Sequence, residues 1–486
     1  MLEAFVKGFL ILIDPLNFGM LIAGVIIGSM IGFIPGVGGV VGVALLLPFT
    51  FLMEPEVALP LIIGLIAVVT TADTIPCVLI GTPGSAGSQA TILDGYPMAQ
   101  RGEAGKALGA AFFVSAVGGV IGALLLSVSV PIFRPLVMSF GISEFLAMGI
   151  LGLSMVAVLT GRSPLRGVIA AGLGLLLAMV GQDPINAIGR WYMGFPYLLD
   201  SLNVVAVALG LFAIPELIDL CARGTQIHKH GGGKVEGKLS GIKEAMRHKR
   251  LIFGSSMIGA WIGFLPGMGT VVANWVSYSC ALMFCKPNDQ FGKGDIRGVI
   301  APESANNASV GGALIPTLAF GIPGSTVMAL MLAALWIQGI TPGQSLLTDK
   351  LHLVYLIIWS LAAANILGAV LAYVFTDQIA RLTNVRIHLL APLIIVPIFS
   401  GSLLTTNHIG DLIVLLVFGV LGWVMKHLGW PRPALVLGFV LGPMLEKYYF
   451  QTTMIFGNAW LQRPIVIIIL VLAALGVIFG YRLRPR

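Results

Sequence analysis

Charge is scarce in this chain. Only 10% of its 486 residues are Asp, Glu, Lys or Arg, against about 25% in an ordinary soluble domain. Charge-free runs recur from end to end, so lipid is the solvent expected for the whole chain. The runs lack the strict alternation of a transmembrane β-barrel, which excludes that class. Cysteine is also sparse. The four, at 77, 221, 280 and 285, show no metal-ligand spacing, and nothing argues for disulfides. HExxH, GxSxG and P-loop patterns are absent, and no His/Asp/Glu cluster has catalytic spacing. Enzyme is therefore the weakest function class. Rings of one charge type, which a channel needs, are also missing. The opening MLEAFVKGFLILIDP has no basic n-region, so it reads as a short interfacial helix and not a cleaved signal peptide.

What is present is apolar. Hydrophobic residues make up 57% and the mean hydropathy is +0.98. An all-α polytopic integral membrane protein follows, and about 12 transmembrane segments, some broken or re-entrant, are expected. The net charge of +7 does not point to nucleic acid. Residues 222–250 hold eight Lys/Arg against Glu236 and Glu244, and the tail YRLRPR adds three Arg. By the positive-inside rule both stretches are expected in the cytoplasm. His228, His230 and His248 fall in the same polar stretch, where a solvated loop is the plainer reading than a metal site.

Gly (62) and Pro (27) are abundant and concentrate in a few spots. HKHGGGKVEGK, within 228–238, divides the chain into a first membrane repeat (1–221), a basic cytoplasmic linker (222–250) and a second repeat (251–486). The second repeat includes one additional C-terminal helix at about 463–481. The halves match each other. GSMIGFIPGVGG (28–39) corresponds to GAWIGFLPGMGT (259–270), an offset of 231, which is 259 less 28. IPCVLIGTPGS (75–85) corresponds to IPTLAFGIPGS (315–325), an offset of 240, which is 315 less 75. Paired Gly/Pro-interrupted segments are the pattern of a secondary transporter with inverted repeats. The third break tests whether such breaks lie within the membrane. Between Arg250 and Lys286 lie 35 uncharged residues, leaving arms of fifteen and sixteen. Each is short of the ~20 residues a crossing needs, so a re-entrant or broken helix is expected.

A half-helix that starts at such a break aims free N–H groups and a positive dipole end at its tip, suited to a carboxylate. The facing carbonyls suit a small cation. Four tips then supply the candidate site. The first holds Pro35, Gly36, Gly38 and Gly39. The second holds Thr82, Pro83, Gly84, Ser85, Ser88 and Gln89. The third holds Pro266, Gly267, Gly269, Thr270 and Asn274, and the fourth Pro323, Gly324, Ser325 and Thr326. Ionisable or amide groups inside apolar sequence add Asp73 in TTADTIP and Glu303, Asn306 and Asn307 in APESANNASVGG. The plain alternatives are a helix cap for Glu303 and a structural hydrogen-bond acceptor for Asp73. DGYPMAQRGEAGKA (94–107) reads as a polar loop. Asn365, Asp377, Arg381 and Asn384 either line a polar path or end helices.

With these residues in hand, the chain resembles the large membrane subunit of the tripartite tricarboxylate transporters. The resemblance rests on IPGVGG (34–39), TPGSAGSQATILDGYPMAQRGEAGKALG (82–109), FGKGDIRGVIAPESANNASVGGALIPTLAFGIPGS (291–325) and GITPGQ (339–344). It implies a permease in the cytoplasmic (inner) membrane of a bacterium or archaeon, without ATP or other cofactor. Its implied partners are a small four-helix membrane subunit and an extracytoplasmic solute-binding protein. The implied substrates are di- or tricarboxylates, driven by a Na+ or proton gradient; pairing into a homo-oligomer is left open. The family often reads YGGSIT before an Asn-Thr-Pro-Gly tip. Here TADTIP (71–76) and Gly81 stand in those places. Asp73 is thus a candidate to carry a coupling proton or to replace a lost cation ligand. The competing reading is a channel-like or scaffold subunit of a membrane complex.

Overall fold

The computed structural model describes residues 1–34, 38–51, 53–159, 163–183, 185–223, 235–382 and 387–482. The described secondary structure is helical apart from one two-stranded ladder, Gly181–Gln182 with Gly189–Arg190. Among the described residues, five helices are long and apolar enough to cross a membrane: Pro15–Phe33, Pro55–Ile80, Ala104–Met138, Leu351–Ile379 and Gly410–His427. Shorter apolar helices, among them Gly38–Thr50 and Thr326–Ile337, lie between them. The protein is a multi-pass membrane protein. Its lipid-facing side is written at helical spacing. Leu124, Val128 and Ile132 of Ala104–Met138 are 59–63% exposed, one turn apart.

The central elements are the opposite. Helix Arg297–Phe320 is buried along its length except at Arg297 and Ile315, which are partly exposed. A helix buried on every side has no solvent to satisfy its polar side chains, so each needs a protein partner.

The two sequence offsets reappear as repeated contacts. Gly28 and Gly32 of Pro15–Phe33 lie so close to Pro55–Ala72 that an added Cβ would come within 2.7 Å of the Leu65 and Val69 carbonyl oxygens. Gly259 and Gly263, at offset 231, press on the Ala305 and Ser309 carbonyls, at offset 240. The second and fourth breaks also match. Gly81 (φ 64°) and Gly321 (φ 68°) end their helices in the left-handed conformation that glycine adopts without strain. Thr82 N–H and Ile322 N–H then bond to Pro76 and Pro316 carbonyls, at 3.3 and 3.2 Å. Pro76 therefore sits inside a helical segment, and the chain breaks at Gly81.

The halves also pack across each other. Gly118 and Gly122 of Ala104–Met138 abut Ser304 and Ala308 of the second half, while Gly368 of Leu351–Leu382 abuts Val68 of the first.

Four further expectations meet the structure here. The arms of the third break are Lys249–Phe264 and Gly269–Phe284, sixteen residues each, or about 24 Å at 1.5 Å per residue. Part of the basic linker is ordered: Lys238–Arg247 is a helix packed through Gly241 on the Lys106 carbonyl, with Lys238 3.9 Å from Asp377. The stretch 94–107 is not a loop. It holds helix Ile92–Gln100 and the start of Ala104–Met138. The physical reason is Asp94, which is fully buried. Its carboxylate accepts the Gly294 and Asp295 N–H groups, both at 2.8 Å, and the Tyr278 hydroxyl at 2.8 Å. At the C-terminus, helix Pro464–Arg482 occupies the place expected for an additional helix.

Candidate substrate and ion site

All four breaks reach one cavity of about 670 Å3. The first contributes Gly38 and Gly39, the second Ser85, the third Gly267, Gly269 and Thr270, and the fourth Ser325 and Thr326. Pro35 and Gly36 lie outside the described residues. Three of the breaks each open a helix at this cavity: Gly38–Thr50, Gly269–Phe284 and Thr326–Ile337. The first turn of each carries N–H groups without an intrahelical partner, so three positive helix ends converge. At the last of these the Ser325 hydroxyl accepts the Met328 N–H, 3.3 Å away.

The remaining candidates divide by depth. Thr82 and Pro83 are half-buried turn residues. Gly84 and Gly324 press on the Gly32 and Gly263 carbonyls, where an added Cβ would stand 2.6 Å from the oxygen. Pro266 is half-buried, Pro323 is buried, and Gln89 is exposed and lies outside the cavity lining. Behind the second tip sits a buried polar cluster, which half-buried Ser85 joins to the cavity. Ser85 donates to Asp73 Oδ2, and the same Ser85 hydroxyl accepts Gly87 N–H at 3.1 Å. Ser88 donates to the Ser85 carbonyl at 3.1 Å. Asn274 Oδ1 accepts Ala90 N–H at 2.9 Å, so the second half holds the first half's tip in place.

Glu303 is not a helix cap. Its carboxylate accepts Thr91 at 2.5 Å, Thr74 at 2.6 Å and Ser115 at 3.4 Å, three hydroxyls all from the first half. Asn307 donates to Thr71 Oγ1 and Asn365 Oδ1, both at 2.8 Å, which places Asn365 in the interior network. Asn306 donates to the Thr70 carbonyl at 3.1 Å. Asp377 pairs with Lys238, while the Arg381 side chain and Asn384 lie outside the described residues.

Four oxygen or nitrogen atoms of this cluster are buried with no hydrogen-bond partner among the described residues: Asp73 Oδ1, Asn274 Nδ2, Asn306 Oδ1 and Asn307 Oδ1. A buried acceptor left unpaired costs free energy unless something fills it. One of these acceptors stands close to the cavity wall, beside the Thr270 hydroxyl. A point one bond from the Gly87 Cα is 3.0 Å from Asn306 Oδ1 and 2.6 Å from Thr270 Oγ1. The matched fourth break has no such charge, because Ala313 occupies the position of Asp73 at offset 240.

Sequence reasoning missed three lining residues, Glu216, Lys426 and Arg432. Lys426 Nζ lies 2.7 Å from Glu216 Oε2 and 2.5 Å from Asp219 Oδ2, and Arg432 lies 3.4 Å from Glu216 Oε1. The available signal was KHLGWPRP (426–433), two cations flanking a Gly/Pro break in apolar sequence. A second cavity of about 340 Å3 surrounds Asp411, whose carboxylate accepts Tyr197 and Thr406 hydroxyls at 2.6 Å and the Asn203 amide at 2.9 Å.

Comparisons with known proteins place this architecture. A 52.8 kDa uncharacterized protein from the 3′ region of ttuC′ in TAR-I of Agrobacterium vitis is 33% identical over 444 residues, 91% of this chain and 88% of that protein. A second uncharacterized Agrobacterium vitis protein, from the ttuC′ 3′ region of TAR-II, is 38% identical over 190 residues, 39% of this chain and 78% of its own length. No solved structure matches the chain. The family model described as "Tripartite tricarboxylate transporter TctA family" matches residues 18–437, nearly the whole length. The chain therefore belongs to the tripartite tricarboxylate transporter TctA family, as a membrane component of a transport system and not an enzyme.

Proposed function

We propose that this protein is a secondary-active permease that takes up organic di- or tricarboxylates, driven by a Na+ or proton gradient. An extracytoplasmic solute-binding protein delivers the substrate, and a small four-helix membrane subunit completes the complex. The two repeats are inverted, the chain crosses the inner membrane about twelve times, and the linker and C-terminus face the cytoplasm. The observation that carries the reading is the convergence of three helix N-termini on one cavity lined by matched breaks from both halves. That arrangement suits a carboxylate, because backbone N–H groups and dipole ends favour negative charge. The buried acceptors Asp73 Oδ1 and Asn306 Oδ1, behind the second tip, favour a cation there. Substrate and coupling ion thus occupy different tips of the same cavity.

Proteoliposomes holding the chain with its two partners test this. Labelled citrate, succinate and tartrate are supplied under imposed Na+ or proton gradients. Gradient-dependent accumulation of at least one acid is expected, and its absence for every acid overturns the reading. Asn306→Ala is expected to lower that uptake while the protein still inserts at wild-type levels.

A further inference from the structure

We propose that Lys426 and Arg432 form a second carboxylate subsite, at which a distal carboxylate of the substrate displaces Glu216. The inference rests on the permease reading and concerns the part of the cavity lining that the four breaks do not supply.

Lys426 closes the helix Gly410–His427, and Arg432 opens the helix Arg432–Phe456. The turn between them, Gly429 to Pro431, lines the cavity, and Glu216 faces it from helix Ile214–Arg223. Among the described lining residues these two are the only cations and Glu216 the only acid. The described wall is otherwise glycine, hydroxyl or apolar, so a second carboxylate of a substrate held at the break tips finds no other cationic side chain. An uncompensated charge against Val40, Val271 and Val310 is costly, whereas one beside a guanidinium is not.

The pairing observed leaves capacity for such a ligand. Lys426 is held firmly by two acids, Glu216 and Asp219. Arg432 is not. It donates one bond to the Leu211 carbonyl at 3.1 Å and reaches Glu216 only at 3.4 Å, with its guanidinium 5.3 Å from the Phe212 ring. A guanidinium carries five N–H donors in a planar fork. Most of this fork is unused by protein, and its side chain is 16% exposed. A carboxylate in the cavity that binds Arg432 bidentately competes with Glu216 for it. Lys426 keeps Asp219 throughout, and Glu216, displaced from Arg432, stays within reach of Lys426. A monocarboxylate, satisfied at the helix tips, has no group to place here. The subsite thus selects for acids with two or more carboxylates.

The test uses the full chain in lipid nanodiscs and reads thermal stabilisation by citrate, succinate and tartrate. Arg432→Gln is expected to raise the half-saturating concentration about tenfold, the loss of one charged hydrogen-bonded contact. Glu216→Gln, which removes the competitor and keeps the shape, is expected to lower it. The opposite signs are the decisive feature, because an ion pair that only braces two helices would affect both variants alike. Arg432→Lys, which keeps the charge, is expected to recover part of the loss and guards against a folding defect in Arg432→Gln. Shifts of the same sign in Arg432→Gln and Glu216→Gln, or no shift in either, overturn the subsite. A wild-type chain that responds to none of the three acids overturns the permease reading instead.

Discussion

At the second break Ser85 donates to the buried carboxylate of Asp73; at the fourth, Ser325 caps Met328 and the position matching Asp73 is Ala313. The backbones of the two breaks are otherwise alike. Both helices end in a left-handed glycine, both close the same six-residue hydrogen bond, and both tips press a glycine onto a glycine carbonyl of the preceding hairpin. Shape in these tips is therefore set by glycine and proline, and chemistry is set separately by the few side chains placed on that shape. A duplicated scaffold can then carry two different ligands. On the proposed reading the carboxylate marks one tip for a cation, and its absence leaves the other with only helix N–H groups and hydroxyls.

The largest effects are expected where the shared shape is attacked. Gly32→Val and Gly263→Val each drive a side chain into a carbonyl of the neighbouring helix, Val69 in the first half and Ser309 in the second. Backbone cannot move aside as a flexible side chain can, so each costs about 3 kcal/mol or more. Both variants are expected to lose most of the folded protein in the membrane, measured by size-exclusion after mild detergent extraction. Gly254→Ala, in the same helix as Gly263 but with open space around it, is expected to behave as wild type. Loss in one half and tolerance in the other would break the equivalence of the two contacts.

Smaller effects are expected where only the chemistry differs. Asp73→Asn keeps the size of the side chain and removes the charge, so the protein is expected to insert normally while uptake loses its dependence on Na+ or on pH. Ala313→Asp places a carboxylate on the cavity wall beside the fourth tip, where a substrate anion would meet it. About tenfold weaker uptake is expected from that like-charge contact, with cation dependence retained. Wild-type cation and pH profiles in Asp73→Asn would return that residue to a structural role and erase the functional contrast between the tips.

Much of this contrast was legible before the fold was known, and the reason is local. The offsets of 231 and 240 could be read because glycine–proline breaks depend on backbone sterics, which sequence records residue by residue. The partners of the buried polar groups could not. Glu303 is satisfied by Thr74, Thr91 and Ser115, each about 190 to 230 positions away, and nothing in their neighbourhoods announces it. Asp94 misled in the opposite sense. Its stretch carries loop-like glycines and charges, yet two backbone N–H groups and a tyrosine from the second half bury it. Lys426 and Arg432 look like ordinary interfacial cations until the cavity shows what they face.

The two cap serines sharpen the comparison with the smallest effect. Each loses a capping bond on replacement by alanine, a cost of about 1 kcal/mol. Ser325→Ala should stop there, since its hydroxyl is bonded to the Met328 N–H and to no carboxylate. Ser85→Ala also strips Asp73 Oδ2 of its donor in a carboxylate whose Oδ1 already lacks one. A buried acceptor left bare adds about 1–3 kcal/mol. Thermal unfolding in nanodiscs is therefore expected to rank Ser85→Ala clearly below Ser325→Ala. The double variant Ser85→Ala with Asp73→Ala removes both partners of that bond and is expected to regain stability over Ser85→Ala alone. Equal losses in the two single variants would mean that the carboxylate draws its stabilisation from elsewhere, and the second tip would then differ from the fourth in charge without differing in energy.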